Sequence, residues 1–152
     1  MNKFMRDFGY SMLWYWGAYL FVTAIGVLHT VYNAFSRGMG VMIPGERKPM
    51  NEIESYAKTM PWHPLYNLIM FPLFAAFYLA GLEAPTLSDA LVTGGIWVAI
   101  TAVFDLVGWV LVPHPWHCTF KDFYVDYQPW ITMIYLVIFA SPVLAYYILQ
   151  LL

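Results

Sequence analysis

Long apolar stretches alternate with shorter polar segments along the chain, and this pattern predicts the architecture. Four such stretches lie at about residues 12–34, 65–82, 88–112 and 130–152. Each is close to the roughly 20 apolar residues that an α-helix needs to cross a bilayer. Because no water is available there to satisfy backbone groups, spanning segments of this kind form helices. We therefore expect an all-α fold: one integral membrane domain, residues 1–152, built as a bundle of four transmembrane helices with two longer loops on one membrane face.

The ends of the predicted helices carry recognisable boundary residues. In the short link EAPTLSD, Thr86 is followed three residues later by Asp89, which predicts a capping box at the start of the third helix. The first long loop contains NEIESYAKTM, which is either a short surface helix beginning at Asn51 with Glu54 as its capping partner, or a solvated irregular loop. Aromatic residues early in the first helix are typical of an interfacial belt: Tyr10, Trp14, Tyr15, Trp16 and Tyr19.

Composition supports a membrane protein and narrows the set of partners. The chain is 61% hydrophobic, 20% aromatic and only 11% charged, whereas a soluble domain has about a quarter of its residues charged. The net charge of −2 comes without a basic stripe, so we expect no nucleic-acid partner. A single cysteine excludes an internal disulfide. The expected partners are membrane lipid and either further copies of the chain or a larger membrane protein.

The distribution of basic residues predicts the orientation. The two long loops carry most of them: Arg37, Arg47, Lys48, Lys58 and Lys121. The other side has Lys3 and Arg6. Loops rich in Lys and Arg stay in the cytoplasm. We therefore expect a multi-pass protein of the plasma (inner) membrane, with both long loops cytoplasmic and both termini outside.

Polar residues converge on the side of the two long loops. All four histidines and two asparagines lie there: His29, Asn33, His63, Asn67, His114 and His117. Apart from Asp89 at the start of the third span, Asp105 is the one charged residue inside a predicted span, and a carboxylate at that depth costs about 3 kcal/mol on insertion scales. It should therefore face the bundle interior and have a partner. His29 lies at a comparable depth and is one candidate partner; a Thr, Trp or Tyr side chain, or protonation of the carboxyl, is the alternative.

These residues predict a polar pocket at one membrane interface. If the pocket is catalytic, Asp105 and His29 form the expected acid–base pair, with the carboxylate orienting the imidazole. No recognised nucleophile motif accompanies them. The residues expected to bind a ligand are His63, His114, Asn33, Asn67 and Tyr124.

The segment PHPWHC, residues 113–118, suggests a metal site. His114, His117 and Cys118 are residue types that zinc accepts, with His63 or Asp122 as a further ligand. The prolines make the segment a turn, so its spacing matches no specific zinc motif. Another divalent metal would fit as well. Haem fits less well, because it needs axial histidines facing each other across the bundle, and only His29 lies well inside a span.

Two acidic residues after the third helix offer a weaker site. Asp122 and Asp126, four residues apart, could share a helical face and hold a cation, or could be solvated loop acids near Lys121. Taken together, the sequence predicts an integral membrane protein with an interfacial polar pocket. That pocket would bind a small molecule, a lipid headgroup or a metal, and could act as a membrane-embedded enzyme. The alternative is a non-catalytic accessory or transport subunit of a larger membrane assembly.

Overall fold

A computed structural model of the chain describes residues 3–41, 48, 50–114 and 117–152. Arg47, which enters the predicted charge balance, lies outside these residues, as do Pro115 and Trp116 of the predicted metal segment. Throughout the described ranges, all regular secondary structure is helical. The all-α prediction is confirmed.

Four long helices form the bundle. They are α1 (Lys3–Arg37), α3 (His63–Ala80), α4 (Leu87–Asp105) and α6 (Trp130–Gln150). The short helices α2 (Glu54–Ala57) and α5 (Phe120–Tyr124) lie in the two long loops. Helix α4 continues without a break as a π-helix over Leu106–Leu111, which we call the π segment.

Four segments are long and apolar enough to cross a membrane. They are Asp7–Arg37, Glu54–Ala80, Leu87–Leu111 and Trp130–Gln150. This confirms the predicted four-transmembrane-helix bundle. Helix α1 begins well before residue 12, because Tyr10 and Trp14 pack against rings of α3 and hold this first part of the helix on the bundle.

One of the early aromatic residues of α1 forms core rather than part of an interfacial belt. Tyr15 is fully buried, and its ring packs against Phe71 of α3 and Trp97 of α4. Such ring pairs contribute about 0.5–1.5 kcal/mol beyond the area they bury. The prediction of a belt therefore fails at Tyr15, where the ring lies inside the bundle.

Helices α1 and α4 are joined by a ladder of three side-chain hydrogen bonds. Helix α3 packs on α6, α4 on α6 and α1 on α3, and the α1–α4 seam is bridged by longer polar side chains. The pairs, in order along both helices, are Ser11–Trp97 at 2.9 Å, Tyr15–Thr101 at 2.9 Å and Tyr19–Asp105 at 3.1 Å. Because each step advances four residues on both helices, α1 and α4 run parallel and in register.

The loop elements differ partly from prediction. The capping box of Thr86 and Asp89 is present and starts α4. No capping box begins at Asn51; a 3-10 turn covers Met50–Glu52, and α2 follows at Glu54. The apolar residues of this loop, such as Ile53 and Met60, are buried against the bundle, which makes the segment a covering element.

The acidic residues after the π segment have structural roles. Thr119 and Asp122 form a second capping box, which starts α5. Asp126 pairs with Lys121, whose Nζ lies 2.6 Å from the carboxylate. Each carboxylate thus has its own local partner, as expected of loop acids rather than of a shared cation site.

Candidate functional site

A cavity of about 490 Å³ lies in the half of the bundle next to the two long loops. It is bounded by the later parts of α1 and α4 and the early parts of α3 and α6. Residues of the loops cover its end: Tyr56, Cys118, Phe123 and Tyr127. The cavity begins where the ladder between α1 and α4 stops, because Thr23 and Trp109, the next pair along, each bond to Tyr19 rather than to each other and line the space.

The cavity is mostly apolar and opens sideways. Ile131, Ile134 and Ile138 of α6 form its inner wall. Val27 and Val31 of α1 also line it, yet they are 57% and 44% exposed. These two side chains thus border both the cavity and the outer surface of α1.

Asp105 forms the polar floor of the cavity. Its carboxyl is 5% exposed and accepts hydrogen bonds from Tyr19 at 3.1 Å and from Tyr135 at 2.9 Å, one on each oxygen. The indole N–H of Trp109 donates in turn to the Tyr19 hydroxyl at 3.4 Å. The alternative expectation, a tyrosine partner for Asp105, is confirmed.

The predicted pairing of Asp105 with His29 is wrong. His29 Nδ1 is hydrogen-bonded to the hydroxyl of Tyr66 on α3. At about 100° per residue, the ten residues from Tyr19 to His29 turn the side chain roughly 80° around α1. Tyr19 therefore reaches α4 while His29 reaches α3.

His63 is the polar group at the other wall of the cavity. Its Nδ1 is hydrogen-bonded to Tyr127, whose hydroxyl also bonds to Tyr56. Burial raises the pKa of Tyr127 well above its ordinary value, so this phenol stays protonated. The other ring nitrogen, His63 Nε2, is buried and has no hydrogen-bond partner among the described residues. A Cβ at Gly26 would lie 3.2 Å from it, so Nε2 points toward α1 across the lining of the cavity.

The other predicted ligand-binding residues divide between the cavity and its supports. Asn67 lines the cavity and donates to the His63 carbonyl at 2.8 Å. Asn33 is fully buried outside the lining and donates to the Ser55 carbonyl at 3.3 Å, holding α2 on α1. Tyr124 donates to the Ala102 carbonyl at 3.4 Å, also outside the lining.

His114 closes the end of the π segment. Its Nε2 lies 2.9 Å from the Gly108 carbonyl, and the Cys118 backbone N–H donates to the Trp109 carbonyl at 2.8 Å. Carbonyls at a helix end have no partner within the helix, so these two bonds satisfy them. His117 Nδ1 bonds back to the His114 carbonyl at 3.1 Å. The segment is thus a cap.

The predicted metal ligands are not assembled into a site. Within the described part of the chain, no three His, Cys, Asp or Glu side chains are placed to hold one metal ion. Burial, with a smaller effect from Asp122, raises the pKa of the Cys118 thiol to about 11. The thiolate is the form that binds metal, and it is disfavoured here.

Sequence reasoning missed the three tyrosines that hold Asp105 and His63. Tyr19, Tyr135 and Tyr127 look like ordinary membrane-protein aromatics. A signal was nevertheless present: hydrogen-bonding residues recur every four positions on both predicted helices, at Ser11, Tyr15 and Tyr19 and at Trp97, Thr101 and Asp105. Two stripes of this kind predict facing helices.

Comparisons with protein-family models, with curated proteins and with solved structures found no match to this chain. The chemistry of the cavity is therefore the evidence for function.

Proposed function

We propose that the cavity binds a small amphipathic molecule that enters from the bilayer. Its apolar body would lie against the isoleucine wall of α6, and its polar end would face Asp105 and His63. The observation that carries this proposal is the buried, unpartnered Nε2 of His63, a residue that lines the cavity. Leaving such a group unsatisfied costs about 1–3 kcal/mol, which a ligand with a matching polar atom would recover.

The size and position of the cavity support a membrane-soluble ligand. A volume near 490 Å³ falls within the roughly 300–1,000 Å³ range of small-molecule sites. The rim at Val27 and Val31 faces the lipid side, while aromatic residues of the loops cover the end toward water. A ligand that dissolves in lipid reaches this site without crossing the loops.

Binding is favoured over catalysis. The predicted acid–base pair does not meet, since His29 bonds Tyr66 and Asp105 bonds two tyrosines. Both carboxylate oxygens already accept a hydrogen bond from a tyrosine hydroxyl, which suits a fixed polar floor. The geometry supports a receptor for, or carrier of, its ligand.

We place the protein in the plasma membrane with both long loops in the cytoplasm, on the basis of their excess of Lys and Arg. The test uses single cysteines in a Cys118→Ser background and a membrane-impermeant maleimide on intact cells. Glu52→Cys and Glu83→Cys are both at exposed positions, in the first long loop and in the short link. Labelling of Glu83→Cys alone is expected; labelling of Glu52→Cys alone would reverse the orientation.

Two alanine substitutions in α1 test the binding function. Gly26→Ala would place a methyl group against His63 Nε2, whereas Gly9→Ala would place one in open space on the same helix. Native mass spectra of the protein in nanodiscs should show a retained small molecule in the wild type and in Gly9→Ala. In Gly26→Ala and in His63→Leu, retention should fall by about tenfold or more.

Equal retention in all four proteins would overturn the proposal, provided their circular dichroism and melting agree. So would a wild type that carries no small molecule but copurifies with a stoichiometric protein partner. That second result would favour the accessory-subunit alternative.

A further inference from the structure

The charges around the cavity are unbalanced. Among the described residues that line it, Asp105 is the only carboxylate, and there is no lysine or arginine. The basic residues near the loops, such as Lys58 and Lys121, have exposed side chains outside the lining. Asp105 itself hydrogen-bonds Tyr19 and Tyr135 and forms no ion pair within the described ranges.

The hydrogen bonds at Asp105 suit the ionised carboxylate. An ionised carboxylate only accepts hydrogen bonds, and each of its oxygens can accept more than one. Each oxygen of Asp105 accepts one hydrogen bond from a tyrosine, which leaves capacity on both for a donor from the cavity. An ionised group this deep in a bundle pairs with an opposite charge. The protein supplies none in the described lining.

We propose that the ligand supplies the missing cation, so that the occupant of the cavity is a lipophilic amine whose ammonium group pairs with Asp105. This inference rests on the proposed binding function and specifies its ligand class. The apolar part of the amine lies along the α6 wall. Its ammonium group donates a hydrogen bond to Asp105. A hydrogen bond between two ionised groups is the strongest kind available in the cavity.

The remaining polar wall fits an ammonium as well. Rings of Tyr19, Trp109, Tyr56 and Tyr127 line the same cavity, and cations are attracted to aromatic faces, most of all when desolvated. When the Tyr127 hydroxyl donates its hydrogen bond to Tyr56, the protonated Nδ1 of His63 donates to Tyr127. Nε2 is then the ring nitrogen that carries a lone pair. Turned toward the cavity that His63 lines, that lone pair would accept a second N–H of the ligand.

Other headgroups fit less well for electrostatic reasons. A phosphate would bring a second negative charge beside Asp105 with no basic side chain to offset it. A neutral alcohol would form hydrogen bonds but would leave the carboxylate charge unpaired. The charge of the headgroup is therefore the feature that the site discriminates.

The test compares dodecylamine, dodecanol and dodecyl phosphate, which share one alkyl chain. Each is added at low mole fraction to nanodiscs of zwitterionic lipid that hold the full-length protein, with empty nanodiscs as a correction for partitioning. Native mass spectrometry counts the protein–probe complexes. The wild type should bind the amine about tenfold or more tightly than the alcohol, with the phosphate weakest.

Three variants locate the effect. Asp105→Asn should remove the preference for the amine, so that the amine and the alcohol bind about equally. Glu83→Gln makes the same change in net charge at an exposed position in the link and should keep the preference. Tyr135→Phe, which retains the carboxylate, should also keep it. If Asp105→Asn does not fold, the comparison of the three probes in the wild type still tests the proposal.

The outcomes separate this inference from the proposed function. Equal binding of amine and alcohol by the wild type, or tightest binding of the phosphate, overturns the amine while leaving the cavity as a binding site. An amine preference that survives in folded Asp105→Asn also overturns it. If none of the probes binds above the empty-nanodisc level, and Gly26→Ala retains as much endogenous molecule as Gly9→Ala, the binding function itself fails.

Discussion

The Tyr19 hydroxyl lies 3.1 Å from a carboxylate oxygen of Asp105, and their numbers differ by 86, as in the pairs Tyr15–Thr101 and Ser11–Trp97. One constant offset means that a single stripe of α1 faces a single stripe of α4. The stripe ends at Asp105, where α4 becomes the π segment. The cavity opens immediately beyond it, so the same seam that holds the helices together ends in the polar floor of the candidate site.

Removing one hydroxyl from the ladder should weaken the bundle modestly. Tyr15→Phe keeps the packed ring and loses the bond to Thr101, so we expect a loss of about 0.5–1.5 kcal/mol in the free energy of unfolding. Titration of the protein from mild detergent into SDS measures that free energy. Tyr32→Phe, on the exposed face of α1, is the matched control and should change little. A double-mutant cycle with Thr101→Val that is fully additive would contradict the coupling.

Two adjacent glycines of α4 should respond in opposite ways to alanine. A Cβ at Gly94 would collide with the backbone carbonyl of Phe139 on α6, whereas a Cβ at Gly95 meets nothing within 4 Å. Gly94→Ala should therefore cost about 1–3 kcal/mol through forced separation of α4 and α6. Gly95→Ala should be neutral or stabilise by about 0.5–1 kcal/mol, since alanine favours helix. Thermal melting in detergent distinguishes them, and equal melting temperatures would argue against this close approach.

His114→Ala should loosen the loop that covers the cavity. Without the imidazole, the Gly108 carbonyl at the end of the π segment loses its side-chain donor. Hydrogen exchange of the backbone amides of Val112 and Cys118 should then accelerate by about tenfold or more, as local opening becomes easier. His117→Ala is the control, because that side chain bonds a loop carbonyl rather than the helix end. Unchanged exchange in His114→Ala would mean that the cap contributes little.

The rate of alkylation of Cys118 should keep rising with pH to higher pH values than the rate for an exposed cysteine. Burial raises the pKa of this thiol to about 11, and the thiolate is the reactive form, so its population at pH 8 is lowered by about a hundredfold. The rate of labelling by iodoacetamide should keep rising tenfold per pH unit through about pH 10. A Glu83→Cys control in a Cys118→Ser background should level off near pH 9. Mass spectrometry measures both rates, and a plateau for Cys118 below pH 9 would contradict the buried position.

Local signals in the sequence predicted the fold well. Span length and apolar content need no knowledge of neighbours, and the Thr86–Asp89 cap is a contact across three residues. The predicted capping box at Asn51 is absent, because the start of a helix that packs on a bundle is set by its packing contacts. Here the loop buries Ile53 and Met60, and no side chain caps the start of α2.

The site could be predicted only in outline. A carboxylate within an apolar span is easily recognised in the sequence, and Asp105 does line the cavity. Its partners come from helices 86 and 30 residues away, and several tyrosines were equally suitable by type alone. His114 was expected to bind a ligand because of its chemistry. Its capping role depends on carbonyls exposed by the π segment, which the sequence LVGWVL does not signal.

Trp109 links the cover of the cavity to its floor. Its carbonyl accepts the Cys118 amide of the covering loop, while its indole donates to Tyr19, the residue that holds one oxygen of Asp105. The backbone and the side chain of one residue thus belong to two different parts of the site. A displacement of the covering loop would act through Trp109 on the hydroxyl that holds the Asp105 carboxylate.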